Sequence, residues 1–381
     1  MPLPAPSPSN RPLLIAAVSG RALAAAARRA GYRPFVADLF CDLDTIEMAE
    51  KTARVPGALE GGLKAEGLIE TLHDLAGEEP PEALICGSGF EEHPELLETL
   101  ARHFPLAGTS GEVVRSIKSP TLLAAECARS GIPFPEIRTE KPSSPEGWLA
   151  KRVGGAGGLH ICTADQAKVD ESTYFQRKIR GTSISALFMA DGTGARIVGF
   201  SRQWTSPTPD SPYRYCGAVR LESFPEQDAA MIGGWLSALS RRMGLAGMCS
   251  ADFIKTDDTC YLIEINPRPG ATLDIFDSDR TPLVTAHLAA SRGEQAPLPI
   301  HRDSMAAMVV YAWHDIESFP PIEWPEWLAD RQPAGTRIRA GEPICTIFAH
   351  GKTAHEARDL LLRREAQLQE IWATGEKEGR T

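Results

Sequence analysis

Hydrophobic and polar positions follow two different periods along this chain. A short apolar run, "LLIAAV" (13–18), meets a turn at Ser19-Gly20, and an Ala-rich stretch with helical spacing then runs to Gly31. A second short run over 33–37 is closed by Asp38. Brief apolar runs bounded by turn residues read as buried strands, and Gly31 suits the position just past a helix C-terminus. "EALICGSGF" gives a third strand over 83–86 with a Gly-rich exit. Strands separated by helical patterns argue for a parallel α/β sheet. "EVVRSIKSPTLLAAECARSG" reads as helix up to Ser130-Gly131, and strands are expected over 148–153, 174–179 and 183–189. Two alternating strands, in "CSADFIK" and "CYLIEIN", are joined by the polar turn "TDDT". Near the C-terminus "AAMVVYAW" and "PICTIFAH" read as strands, and 353–372 as a helix with one charged and one Leu-rich face. No internal repeat is present.

Composition narrows the classes. The chain has 381 residues, 43% hydrophobic and 24% charged, with a formal net charge of −10. That suits a globular protein of two or three domains. There is no basic tract and no basic stripe interleaved with aromatic residues, so a nucleic-acid partner is not expected. No apolar run approaches membrane-spanning length, and "MPLPAPSPSN" lacks the basic start and apolar stretch of a signal peptide. The eight cysteines are scattered without C-x-x-C spacing, as for reduced thiols in a cytoplasmic protein rather than a zinc or redox pair.

The chemistry concentrates in four stretches. In "YLIEINPRPG" (261–270) alternation puts Glu264 and Asn266 on one strand face and Tyr261, Ile263 and Ile265 on the other. Two adjacent oxygen donors suit a hard cation such as Mg2+. A buried Glu and Asn satisfied by hydrogen bonds is the competing reading. Asp252, on the preceding strand, can sit opposite them, or be a solvated acid. "LAKRVGGAGGLHI" places Lys151 at a strand end before Gly154, Gly155, Gly157 and Gly158, four glycines in five positions. Such a mobile loop can bring backbone N–H groups to phosphate oxygens, or be a flexible hairpin. It is not a Walker A loop, because no G-K-[ST] ending follows, and no strained G-x-S-x-G turn of a hydrolase occurs. Lys118 lies in "RSIKSP" just before a helix, and alone reads as a surface lysine. "YFQRKIRGTSIS" reads as strand, Gly turn and strand, able to present backbone groups to an adenine edge. In "GFSRQWTSPTPDSPYRYCGAV", Arg202, Trp204, Arg214 and Tyr215 cluster in a Pro-rich loop. Arginine can grip a carboxylate and the aromatic rings can stack on a ligand, or Trp204 and Tyr215 can simply pack the loop down.

The order of these features, with "IEINPRPG" as the most specific, resembles the ATP-grasp superfamily over nearly the whole chain. The resemblance implies an α/β (α+β grasp) chain: a mobile tail (1–11), a Rossmann-like domain (12–111), a two-part ATP-grasp domain (112–295), and a C-terminal β-rich segment with a final helix (296–381). It implies ATP with Mg2+ (or Mn2+). Lys118 and Lys151 would hold the α- and β-phosphates, and the glycine loop would close over the triphosphate. Gln176, Arg177, Lys178 and Ile179 would form the adenine hinge. Asp252, Glu264 and Asn266 would bind the metal, and Arg268 would face the reacting phosphoryl group. Two positions depart from the pattern: Ser183 stands where many members carry an acid for the ribose, and Ser250 where some carry an arginine.

The activity so implied is an ATP-dependent carboxylate–amine ligase working through an acyl phosphate, with small-molecule acid and amine partners and compatible with a homodimer. "SGRALAAAARRAGYRPFVADLFCDLDT" with "SRQW" is similar to ATP-grasp proteins linked to one-carbon cofactors in methylotrophic bacteria, one branch of which joins glutamate to an amine. "GEPICTIFAHGKTAHEAR" resembles instead carboxylases such as biotin carboxylase. A third alternative is an ATP-binding module without catalysis.

Overall fold

Every residue of strand Pro12–Ala17 is buried, which requires cover on both faces and fits the middle of a parallel sheet. The computed structural model, which describes residues 10–378, places it there. Five parallel strands run in the order Lys51–Arg54, Arg33–Asp38, Pro12–Ala17, Leu84–Cys86, Leu106–Ala107. The tail expected over 1–11 falls, for residues 1–9, outside the described range. Strand order reverses at Pro12–Ala17, so a crevice opens beyond the carboxyl ends of Pro12–Ala17 and Leu84–Cys86, where open α/β sheets bind ligands. Buried Asp38 fastens this edge by accepting from the amides of Gly20 (2.8 Å), Phe40 (3.2 Å) and Cys41 (2.7 Å).

The helical stretch expected to run to Ser130 is two helices, Gly111–Lys118 and Pro120–Arg129. Pro120 disfavours helical geometry in the residue before it, and Ser119 is extended at φ −72°, ψ 112°. The break ends the first helix on Lys118 and turns its side chain inward, where the sequence alone suggests a surface position.

A small antiparallel sheet follows, ordered Cys162–Thr163, Trp148–Arg152, Thr173–Arg177, Ile137–Arg138. Below it lies an eight-stranded sheet: Cys260–Asn266, Ala246–Lys255, Thr182–Asp191, Ala195–Thr205, Tyr215–Arg220, Ser304–Tyr311, Pro343–Gly351, Leu328–Ala329. Pairing of Tyr215–Arg220 with Ser304–Tyr311 carries this sheet across position 295 into the C-terminal segment. Helix Ala354–Glu378 covers its far end.

One hydrophobic core joins the first sheet to the eight-stranded sheet. Leu13, Ile15 and Val36 share it with Leu187, Met189 and Met248, across helices Arg21–Arg29 and Leu283–Ser291. His287 locks the joint: its Nδ1 accepts from the Met248 amide at 2.8 Å, so its Nε2–H donates to the Ala107 carbonyl at 3.2 Å. The ring is 1% exposed, and burial pushes it down to about 4.

Between pH 6.5 and 4 the unfolded chain's imidazole takes up a proton that folded His287 refuses, so this stability is present at neutral pH and lost as pH falls through that window. The loss is about 3 kcal/mol at most. Urea titrations at pH 7 and pH 4.5 should show a smaller pH-dependent loss in His287→Gln than in wild type; equal losses would contradict it.

Candidate active site

The crevice of the first sheet continues as one cavity of about 830 Å³ under the glycine loop and over the eight-stranded sheet. At its base, Asp252 on Ala246–Lys255 pairs across from Glu264 on Cys260–Asn266, and Ser250 from Asn266. A bulge between Asp252 and Phe253 leaves Ile263 unpaired. It corrects the simple alternation: Ile263 lines the cleft beside Glu264, whereas Cys260, Leu262 and Ile265 enter the core.

Lys118 Nζ is hydrogen-bonded to Glu264 Oε1 and donates to Asn266 Oδ1 at 2.8 Å. Asn266 Nδ2 donates to Asp252 Oδ2 at 3.1 Å. Burial alone would raise Glu264, but Lys118 and Lys151 outweigh it and hold the carboxyl below its usual range. Asp252 is raised, by burial and then by the charge of Glu264. Lys151, 4% exposed, is lowered by burial despite both carboxylates. An ammonium therefore sits between two oxygen donors that suit a hard divalent cation. Two carboxylates and one amide would hold such an ion only with further oxygens from its ligand, the mode of Mg2+ at phosphates.

The glycine loop is wedged in place. Gly154 has φ +77°, and a Cβ there would lie 2.5 Å from the Glu91 carbonyl oxygen. Gly158 has φ +74°, and its Cβ would lie 2.0 Å from the Tyr213 carbonyl oxygen. Arg152, just before the loop, donates to Glu92 (2.9 Å) and Glu60 (2.8 Å) of the first domain. The His160 ring lies against Gly155, with its Nδ1 buried and unpartnered. Burial pushes His160 down to about 4.

Arg268 donates to Glu91 Oε1 at 2.6 Å, while Glu91 Oε2 accepts from the amides of Gly89 (2.8 Å) and Phe90 (3.0 Å). Burial would raise Glu91, but Arg268, Lys118 and the backbone hold it at about 2. Of the residues expected to form the hinge, Gln176 is buried with its Nε2 donating to Ile263 O (3.4 Å), Arg177 packs over Trp148, and Lys178 over Tyr213. With Ile179 and Ser183 they line one end of the cleft.

The loop expected to hold the acid needs correction. Arg202 is exposed and outside the cleft. Its strand neighbour Gln203 faces inward instead and donates to Asp252 Oδ1 at 3.3 Å. Arg214 lines the cleft, but its guanidinium donates to Ser206 (3.1 Å to O and 3.1 Å to Oγ) and Gly341 O (3.4 Å), and stacks on Tyr311. Those bonds hold the loop and leave little for a carboxylate. Trp204 and Tyr215 remain in the wall. Sequence reasoning missed Glu91, Gln203 and His160; only "GFEE" directly after a strand of the first sheet hinted at Glu91.

A parallel-sheet domain facing a loop-roofed antiparallel cleft defines a class. Residues 121–272 match the family described as the ATP-grasp domain, and the solved structures that the whole chain resembles agree with it in fold. The biotin carboxylase domain of Hydrogenobacter thermophilus 2-oxoglutarate carboxylase, solved with MgADP, ADP and bicarbonate, matches at TM-score 0.68 and 13% identity, over 89% of this chain and 85% of that one. Phosphoribosylamine–glycine ligase of Thermotoga maritima matches at 0.67 and 16%, over 92% and 95%. L-amino acid ligase of Bacillus licheniformis matches at 0.66 and 14%, over 94% and 98%. No protein of curated function is significantly similar in sequence.

Because a side chain at Gly158 collides with backbone and its φ is unfavourable, Gly158→Ala must displace the loop. Calorimetric titration with MgADP should show at least about tenfold weaker binding; an unchanged affinity would mean that the loop does not touch the nucleotide.

Proposed function

We propose that this protein is an ATP-dependent carboxylate–amine ligase working through an acyl phosphate. The observation that carries it is the meeting of Lys118, Lys151, Asp252, Glu264 and Asn266 under the glycine loop, at the base of a cleft with room beyond them for further substrate. Two structural relatives are ligases by name, one for glycine and one for L-amino acids.

In this reading Lys118 and Lys151 bind the phosphates, the 154–158 backbone covers them, and residues 176–179 receive the adenine. Asp252, Glu264 and Asn266 would hold Mg2+ or Mn2+, which when bound would neutralise phosphate charge. The substrate carboxylate oxygen attacks the γ-phosphorus, the bond to the β,γ-bridging oxygen breaks, and ADP departs. The amine nitrogen then attacks the acyl carbon, phosphate leaves, and the amine proton passes to a base. Phosphate leaves far more readily than the oxide of a free carboxylate, which is why ATP is consumed. The protein contributes positioning and charge compensation. Arg268, held by Glu91, would stabilise charge on the transferring group.

The finer reading, glutamate or a similar acid joined to an amine for a one-carbon cofactor, rests on the resemblance of 19–45 and "SRQW". Ser19, Arg21, Phe40 and Asp42 from the first stretch and Gln203 and Trp204 from the second line the cleft.

The test is isotopic. With a carboxylate-18O-labelled acid, released phosphate should carry one 18O per turnover, and only when an amine is present should turnover be sustained. Glu264→Gln should lower the rate at least about 100-fold while the far-UV spectrum stays native. Bicarbonate-dependent ADP formation without amine would replace the ligase by a carboxylase, and tight ATP binding with no turnover would replace it by a binding module.

A further inference from the structure

Beyond the loop the cleft holds a second charged centre. Arg21, at the start of helix Arg21–Arg29, gives two hydrogen bonds to Asp274 (2.6 and 2.8 Å) and two to Asp330 (3.0 and 3.3 Å). Asp42, 1% exposed, lies in the same wall, at the N-terminus of helix Leu43–Met48. Chain segments far apart in sequence are pinned together to build it. The Arg331 amide and Nε donate to Asp44 (2.7 and 2.9 Å), the Leu43 amide donates to Arg331 O (3.0 Å), and Thr346 Oγ1 donates to Asp330 Oδ2 (2.5 Å). One guanidinium thus faces three carboxylates in this wall of the cavity.

A second observation is independent of charge. Gln332 (7% exposed) and Thr272 (6% exposed) line the same cavity, and neither side chain has a hydrogen-bond partner among the described residues. Their unpartnered polar atoms open onto the cavity, where a polar ligand or water can pair with them. Each offers an acceptor oxygen, and the surplus of Asp42, Asp274 and Asp330 over Arg21 favours a donor cation over bicarbonate or a second carboxylate.

From this geometry we infer that the Asp42–Asp330–Gln332–Thr272 end of the cleft binds the amine substrate as its ammonium ion. The inference rests on the ligase reading and names where its amine docks. The proton that the ammonium sheds before attack has an acceptor here: the N–H bond breaks and an O–H bond forms on Asp42, which burial and then Asp330 push up to about 7.

The test uses the full chain, with n-butylamine, butanoate and 1-butanol as probes in ligand-observed NMR titrations. The amine should bind wild type at least tenfold more tightly than either of the others. Asp42→Asn keeps an acceptor for the helix cap but removes the charge, and should weaken the amine at least tenfold with MgADP affinity unchanged. Gln332→Met, which keeps the volume, should weaken it several-fold. Equal amine binding in wild type and Asp42→Asn, or preferential binding of butanoate, would overturn the inference. Charge-dependent amine binding without 18O transfer would leave this pocket standing and remove the ligase reading. Transfer of 18O with amine binding indifferent to Asp42→Asn would do the reverse.

Discussion

The cleft depends on how its base neutralises buried charge. Lys118 and Lys151 are both buried, and each is tolerable only because Glu264 and Asp252 stand opposite. Lone buried ammonium groups cost several kcal/mol and would shed their protons. Lys118 shared between Glu264 and Asn266 keeps both oxygens pointing at one spot. Glu264, Asn266 and Asp252, already oriented, would hold a divalent ion at that spot, and Lys118 would turn toward phosphate oxygens.

Everything around this base holds it in place. The shared core of the two sheets, with His287 between them, fixes the crevice of the first domain relative to the strands bearing Asp252 and Glu264. Glu91 reaches from that domain to Arg268 and is anchored by two amides, so the arginine cannot drift. The roof is held mainly by close packing: Gly154 sits against buried Glu91 and Gly158 against the Tyr213 backbone, while the Arg152 pairs with Glu60 and Glu92 are partly exposed and worth little individually.

Much of this was legible in the sequence because it is local. Alternation and turn residues located the three central strands of the first sheet and five strands of the eight-stranded one, and the spacing of "IEIN" with an upstream Asp placed three oxygen donors together. What escaped was what depends on partners far away in sequence. A single bulge turned Ile263 into the cleft, since a one-residue shift in a strand reverses a face. The same parity decided Arg202 against Gln203: both sit in one strand, and nothing local says which face meets the cleft. Arg214 was legible as a charge but not as one already bound to Ser206 and Gly341. The centre joins Arg21 and Asp42 to Asp274 and Asp330, and the Arg21–Asp274 and Arg21–Asp330 pairs span 253 and 309 residues, so no motif could reveal it.

The direct test of the central claim is anomalous diffraction from crystals grown with Mn2+ and a non-hydrolysable ATP analogue. The account requires manganese density between Glu264 and Asn266, within bonding distance of both and of phosphate oxygens, with Lys118 moved onto the phosphates. Manganese elsewhere, or Lys118 still bridging Glu264 and Asn266 beneath a bound nucleotide, would contradict it.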